Sequence, residues 1–112
     1  MKYLLLAFFA MPILAASDCN TNNVPACVKR IIADAKKNSP ADAPLQIDEY
    51  LYRNERVFLF TAPCCDQYNT LYDMKCNPVC APTGGITGKG DGKCPDFIAE
   101  AKLVRTLWKK EN

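Results

Sequence analysis

No histidine occurs among the 112 residues. Ser-His-Asp and Cys-His catalysis, and every metal site built on imidazole, are thereby excluded within this chain. A strong charge excess is missing as well. The 14 Lys and Arg stand against 12 Asp and Glu, a formal +2, whereas a protein that lives on nucleic acid is expected to be decidedly basic. There is no C-x-x-C, because Cys76 and Cys80 are four apart. That weakens both a thioredoxin-type and a zinc-ribbon reading. No N-x-[ST] sequon is present: Asn20, Asn38 and Asn69 all miss the spacing. Glycine is scarce, with five residues crowded between Gly84 and Gly92, and Trp108 is the single tryptophan. No internal repeat or low-complexity tract appears.

What is present begins with a leader. Residues 1–17 read MKYLLLAFFAMPILAAS, with a charged start at Lys2, an apolar run from Tyr3 to Leu14 and small residues at Ala15, Ala16 and Ser17. This is the secretory signal pattern, and the run is shorter than the roughly 20 apolar residues that span a bilayer. Cleavage after Ala16 or Ser17 is expected. Cys19 invites a lipoprotein reading, but Asp18 stands where a lipobox wants a small residue, so a soluble exported protein is preferred to a lipid-anchored one. No other stretch is apolar enough to span a membrane. Removing 17 of the 112 residues leaves 95, with all seven cysteines and a net +1. So many cysteines in a short exported chain read as a disulfide framework in the periplasm or outside the cell.

Residues 18–23 are polar and loose by composition. Helix signals start at Asn23 or Val24, with Pro25 suited to the first turn. Val24, Val28, Ile31, Ile32 and Ala35 fall on one helical face, and Cys27 lies one turn before Ile31. Lys29, Arg30, Asp34, Lys36 and Lys37 occupy the rest, a solvated face rather than a nucleic-acid or membrane surface. NSPADAP (38–44) breaks the helix. Leu45–Tyr52 and Val57–Ala62 read as a hairpin about the polar turn Arg53–Arg56, and the second, continuously apolar strand is expected at the sheet centre. Tyr50, Tyr52, Phe58 and Phe60 are expected to pack across strands and into the core. Asn69–Asp73 and Pro78–Ala81 suggest two more strands around Met74–Asn77. After the glycine-rich segment 82–96, Asp96 is placed to cap a short helix from Phe97. Leu103–Trp108 forms a last strand or else prolongs that helix, with Trp108 closing one end of the core. The expected fold is α+β: an N-terminal helix on a small antiparallel sheet of about four to five strands, with a long glycine-rich loop, in a disulfide-stabilised domain over residues 24–110.

The cysteines carry the strongest structural signal. A bridge from Cys27 to Cys64 or Cys65 would stabilise by roughly 3–4 kcal/mol, and a Cys80–Cys94 bridge by about 3, in the chain-entropy picture. The latter would pin both ends of the glycine loop. With seven cysteines, one thiol at least is free, capped or paired between chains. Adjacent Cys64 and Cys65 would form a strained ring, a redox switch or a soft-metal site, or would bridge to different partners. The last is preferred, because neighbouring strand residues face opposite ways.

GGITGKGDGK offers backbone N–H groups near Lys89 and Lys93, suited to a small anion. It is not a P-loop, since Thr83 and Gly90 stand where the motif needs Gly and Ser or Thr. Asp66, Asp73, Asp91 and Asp96 would offer oxygens to Ca²⁺ if the fold gathered them, although the spacing is not that of an EF-hand; no cofactor or metal is expected. Asp91-Gly92 reads equally as a turn. Asp66 and Asp73 flank a strand, but no spacing identifies an acid–base pair, and no nucleophile has a base beside it.

PCCDQYNTLYD (63–73), Cys80-Ala81-Pro82 and GGITGKGDGKCPDF (84–97) closely resemble a block in a family of short bacterial exported proteins whose domain has no assigned function, many members of which look like lipoproteins. The Pro25-Ala26-Cys27 helix start and Trp108 fit the same pattern, so the resemblance spans about residues 24–109. It implies a compact α+β domain and brings no activity. Two departures are Cys76, in a turn where the family usually has glycine, and Cys19, outside the domain. The resemblance implies an extra Cys19–Cys76 bridge, beside a family-like set of Cys27, Cys64, Cys65, Cys80 and Cys94.

The functional expectation is a non-enzymatic binding or interaction module, in one version inhibitor-like. Its surface would be the 82–96 loop and the Cys65–Asp73 segment, with Asp66, Asp73, Thr87, Lys89, Asp91 and Lys93 as candidate binding residues. Its partner would be an unknown protein or a small anionic ligand, not nucleic acid. The alternative is a thiol-redox protein or enzyme using Cys64-Cys65.

Overall fold

The computed structural model describes residues 23–38 and 41–111. The leader, Cys19 and the loose segment up to residue 22 lie outside the described residues. Helix α1 (Ala26–Asn38) is followed by β1 (Gln46–Tyr52), β2 (Glu55–Thr61), β3 (Tyr68–Tyr72), β4 (Pro78–Gly84), the short α2 (Phe97–Glu100) and β5 (Lys102–Lys109). The strands form one antiparallel sheet in the order β4-β3-β2-β1-β5. The α+β expectation holds, with β2 at the centre.

Strand periodicity explains the two faces. On one, Ile47 and Phe58 meet Val28 of α1 and are wholly buried, with Val24, Cys27, Ile31, Ile32, Phe60, Leu107 and Trp108 packed around them. On the other, Val57, Leu59, Tyr52 and Leu71 gather with Cys80, Cys94 and Phe97. The apolar run of β2 is thus buried on both sides, and each large side chain fully removed from water contributes roughly 1.5–3 kcal/mol. Tyr50 and Tyr52 meet the Phe97 ring edge-on at 4.9 and 5.2 Å, and Phe60 meets Tyr72 at 4.7 Å.

The β1–β2 turn is tighter than the expected Arg53–Arg56. It consists of Arg53 and Asn54 alone, both at positive φ (54° and 64°), the two-residue hairpin that matches strand twist. Arg53 is held there by an ion pair to Asp96 (3.0 Å) and by stacking 4.8 Å over the Tyr52 ring. Asp96 occupies the N-cap position of α2 but makes no side-chain cap bond. Its carboxylate instead accepts from the Tyr52 hydroxyl at 2.5 Å and from Arg53, and these bonds lower its pKa. After α2 the chain turns extended at Ala101 and enters β5 at Lys102, which settles the choice between helix and strand over 97–108.

Three disulfides cross-link the described residues: Cys27–Cys76, Cys80–Cys94 and Cys64–Cys65. The Cys80–Cys94 expectation is met; the others are corrected. Cys27 does not reach Cys64 or Cys65. The α1 face lies over the end of the sheet where β3 turns into β4, and Cys76 in that turn packs against it. Cys76 is therefore not left to Cys19. Cys64 and Cys65 do not diverge to separate partners, because β2 has already ended at Thr61 and the pair sits in a turn, with Cys65 at φ 62°. The chain-entropy contribution is about 4 kcal/mol for the bridge spanning 49 residues and about 3 for that spanning 14. The vicinal bridge closes almost no chain.

Candidate functional site

The β3–β4 hairpin sorts the sequence-derived candidates by register. Tyr68 pairs with Gly84 and Tyr72 with Pro78. Asp66, the Cys64–Cys65 turn and the 85–90 loop therefore share one end of the hairpin. Asp73 lies at the other end, about five strand residues, or roughly 17 Å, away. There its carboxylate accepts from the N–H groups of Lys75 and Asn77 at 2.9 Å, and these backbone bonds, Asn77's foremost, lower its pKa. Asp73 thus shapes the β3–β4 turn, and it is not brought together with Asp66.

At the shared end the loop is tightly built. The Gly88 N–H donates to Gly85 O (3.1 Å), the Gly84 N–H to Gly88 O (3.3 Å) and the Gly90 N–H to Gly84 O (3.0 Å). The Thr87 hydroxyl oxygen accepts from the Lys89 N–H (3.1 Å). Asp91 ties the loop back to β4: its N–H donates to Ala81 O (2.8 Å), while its carboxylate accepts from the N–H groups of Ala81 (3.1 Å) and Lys93 (3.0 Å). The Lys93 N–H above all holds this carboxyl below its ordinary range. Asp91 so occupies the place of a neighbouring strand along β4, whose Pro78 and Pro82 further blunt that edge. Gly90 is required here, since φ is +79° and a Cβ would lie 2.1 Å from Ala81 O. Of the backbone N–H groups that suggested an anion cradle, those of Gly84, Gly85, Gly88, Lys89, Gly90, Asp91 and Lys93 are thus engaged in hydrogen bonds to the protein itself. Lys89 and Lys93 are exposed.

The tip at Ile86 and Thr87 projects from this frame, and Ile86 is 90% exposed. Beside it the Tyr68 ring, 53% exposed, lies so close to Gly85 that a Cβ there would meet Cε1 at 2.6 Å. A shallow hollow of about 170 Å³ continues from Tyr68 over Phe60, Ala62, Pro63, Thr70 and Tyr72. Gln67 joins the tip to the vicinal turn. Its carbonyl accepts the Gly85 N–H (3.0 Å), its own N–H donates to Cys64 O (3.2 Å), and its side-chain oxygen accepts the Cys64 N–H (3.2 Å). Gln67, Tyr68 and Ile86 lie within the two segments that the sequence singles out, 82–96 and Cys65–Asp73, but are not among its individually named candidates. The one available signal was an isoleucine set among glycines, where no core strand or helix could bury it.

A second polar constellation lies on the α1 face. Glu49, 1% exposed, receives Arg56 Nε at 2.7 Å and Arg105 Nε at 2.9 Å. Burial works to raise its pKa, but the two guanidinium bonds together outweigh it and the net direction is down. Neighbouring Asp48 faces the other side of the sheet, bound by Gln46 and by the Thr106 hydroxyl at 2.6 Å. Alternate facing keeps these two carboxylates from working as an acid–base pair. A larger hollow of about 540 Å³ has Lys36, Lys109 and Lys110 beside Trp108 and contains none of the sequence-derived site residues.

Among the described residues, no group of three or more Cys, Asp or Glu side chains is placed to hold a metal ion, and no helix is long and apolar enough to cross a membrane. A family model described as a domain of unknown function (DUF6970) matches residues 30–110. No curated protein and no solved structure matches the chain.

Proposed function

The chain belongs to the DUF6970 family, and on that premise we propose that it is a small exported binding module, without catalytic activity, that holds a partner protein against the Ile86 tip and Tyr68. Three disulfides among the described residues suit an oxidising compartment, and the leader pattern suits export. The observation that carries the reading is Ile86. An apolar side chain that stands 90% in water has no role in the core. It stands on a loop braced by internal hydrogen bonds and by Cys80–Cys94, so little conformational freedom is left to lose on association. Rigid presentation of one side chain is also what an inhibitor-like module needs. A protein partner is favoured over a small anion because most of the loop N–H groups, those of Gly84, Gly85, Gly88, Lys89 and Gly90 among them, are already engaged.

The test is retention of exported proteins, from the cells that make this one, on the immobilised wild type, Ile86→Asp and the helix-surface control Lys37→Glu. The reading expects a protein held by wild type and Lys37→Glu and lost with Ile86→Asp, its measured affinity falling about tenfold or more. Equal retention by Ile86→Asp and wild type refutes it.

A further inference from the structure

The Cys64–Cys65 bridge differs from the other two in a way that points to chemistry. Cys80 and Cys94 are buried, and Cys27 on α1 and Cys76 packed against it are half-buried, whereas Cys64 and Cys65 are both exposed. A thiolate must reach a disulfide sulfur to open it, so access favours this pair. The two residues are adjacent in sequence. Opening the bridge therefore releases no long loop, and the fold keeps its other two cross-links.

We propose that Cys64–Cys65 is a thiol–disulfide exchange site whose substrate is a dithiol, either a small molecule or a protein carrying two neighbouring thiols. One thiolate of the dithiol attacks a Cys64 or Cys65 sulfur and forms a mixed disulfide. The internal S–S bond breaks, and its electron pair leaves on the other cysteine sulfur, which takes a proton. The second thiol of the dithiol, as thiolate, attacks the mixed disulfide and expels the remaining cysteine sulfur, which is protonated in turn. Two electrons and two protons pass to the chain, and the dithiol leaves as a disulfide.

Opening the bridge also loosens the tip. Cys65 sits at φ 62°, uncommon for a residue with a side chain. Freed from Cys64, it returns to negative φ and draws the turn away from Gln67, whose hydrogen bonds to Cys64 steady the carbonyl that anchors the Gly85 N–H. The exchange itself stands apart from the binding reading; only the use made of a loosened tip rests on it.

The experiment titrates the oxidised full-length protein with dithiothreitol near neutral pH, blocks thiols with N-ethylmaleimide and maps them by mass spectrometry. Circular dichroism and amide hydrogen exchange are followed on the same samples. Cys64 and Cys65 are expected to be labelled at about tenfold less reductant than the other four described cysteines, without loss of fold. The opened protein is expected to bind one phenylarsine oxide per chain, which Cys64→Ser/Cys65→Ser abolishes, and to exchange the Gly85 amide faster. Simultaneous opening of all three bridges, opening of Cys64–Cys65 last, or free thiols at 64 and 65 before any reductant overturns the exchange. Selective opening with unchanged Gly85 exchange supports the exchange and overturns the coupling to the tip.

Discussion

Replacing Glu49 by Gln removes a buried charge that is bonded to two arginines on the α1 face. Glu49 is 1% exposed and bonded to both Arg56 and Arg105. Deleting one partner of a buried ion pair costs about 3–5 kcal/mol, because the other charge is left uncompensated. The arginine side chains here keep 26% and 27% of their surface, so water takes up part of their charge. Gln also retains an acceptor oxygen. Glu49→Gln is therefore expected to cost about 2–3 kcal/mol, a large part of the roughly 5–10 kcal/mol that stabilises such a domain. The assay is urea unfolding with disulfides intact, where the midpoint falls and the slope stays constant. Melting is expected roughly 10–20 °C lower. The pH dependence supplies a second arm. Glu49 has a folded pKa below its ordinary 4.5, so its contribution is present above that value and is lost as pH falls through the folded pKa. Wild type and Glu49→Gln should thus converge in strong acid. A midpoint shift worth less than about 1 kcal/mol at neutral pH, or a gap that persists unchanged into strong acid, refutes the reasoning.

Three further outcomes are expected. Gly90→Ala should unfold or severely destabilise the chain, by about 3 kcal/mol or more, because its Cβ meets the Ala81 and Pro82 backbone; Gly92→Ala, also at positive φ but facing open space, should cost about 1–2 kcal/mol. Urea midpoints of the pair check this. Asp91→Ala should lower the melting temperature by roughly 5–10 °C, since the Ala81 and Lys93 N–H groups lose their acceptor. Faster hydrogen exchange at those two amides would locate the loss. Cys27→Ser/Cys76→Ser should cost about 4 kcal/mol while Cys64→Ser/Cys65→Ser leaves the urea midpoint nearly unchanged, in keeping with the lengths of chain the two bridges close.

Local pattern carried far. The apolar spacing from Val24 to Ala35 is the α1 face that buries Val28, and the unbroken run from Val57 marks β2 as central. Turn chemistry was legible at Asp91, whose carboxylate accepts backbone N–H groups, but not at Asp73, which does the same in the β3–β4 turn and reads in the sequence as a strand end. Arg53 escaped, because arginine at positive φ has no local signature and is held by Asp96, 43 positions away. The Glu49 cluster escaped for the same reason: seven positions separate it from Arg56 and 56 from Arg105, and register alone brings them together.

Element order and the two buried faces follow from short-range periodicity, which each stretch of chain expresses without reference to the rest. Which sulfur meets which, and which exposed groups share an end of the hairpin, depend on register and on where each strand stops. Because β2 has ended at Thr61, two cysteines that would diverge on a strand are neighbours on one turn. Pairing Tyr68 with Gly84 sets Ile86 beside that turn and puts Asp73 at the far end. Such relations are distances in space between residues remote in the chain, and they exist only once the sheet has closed.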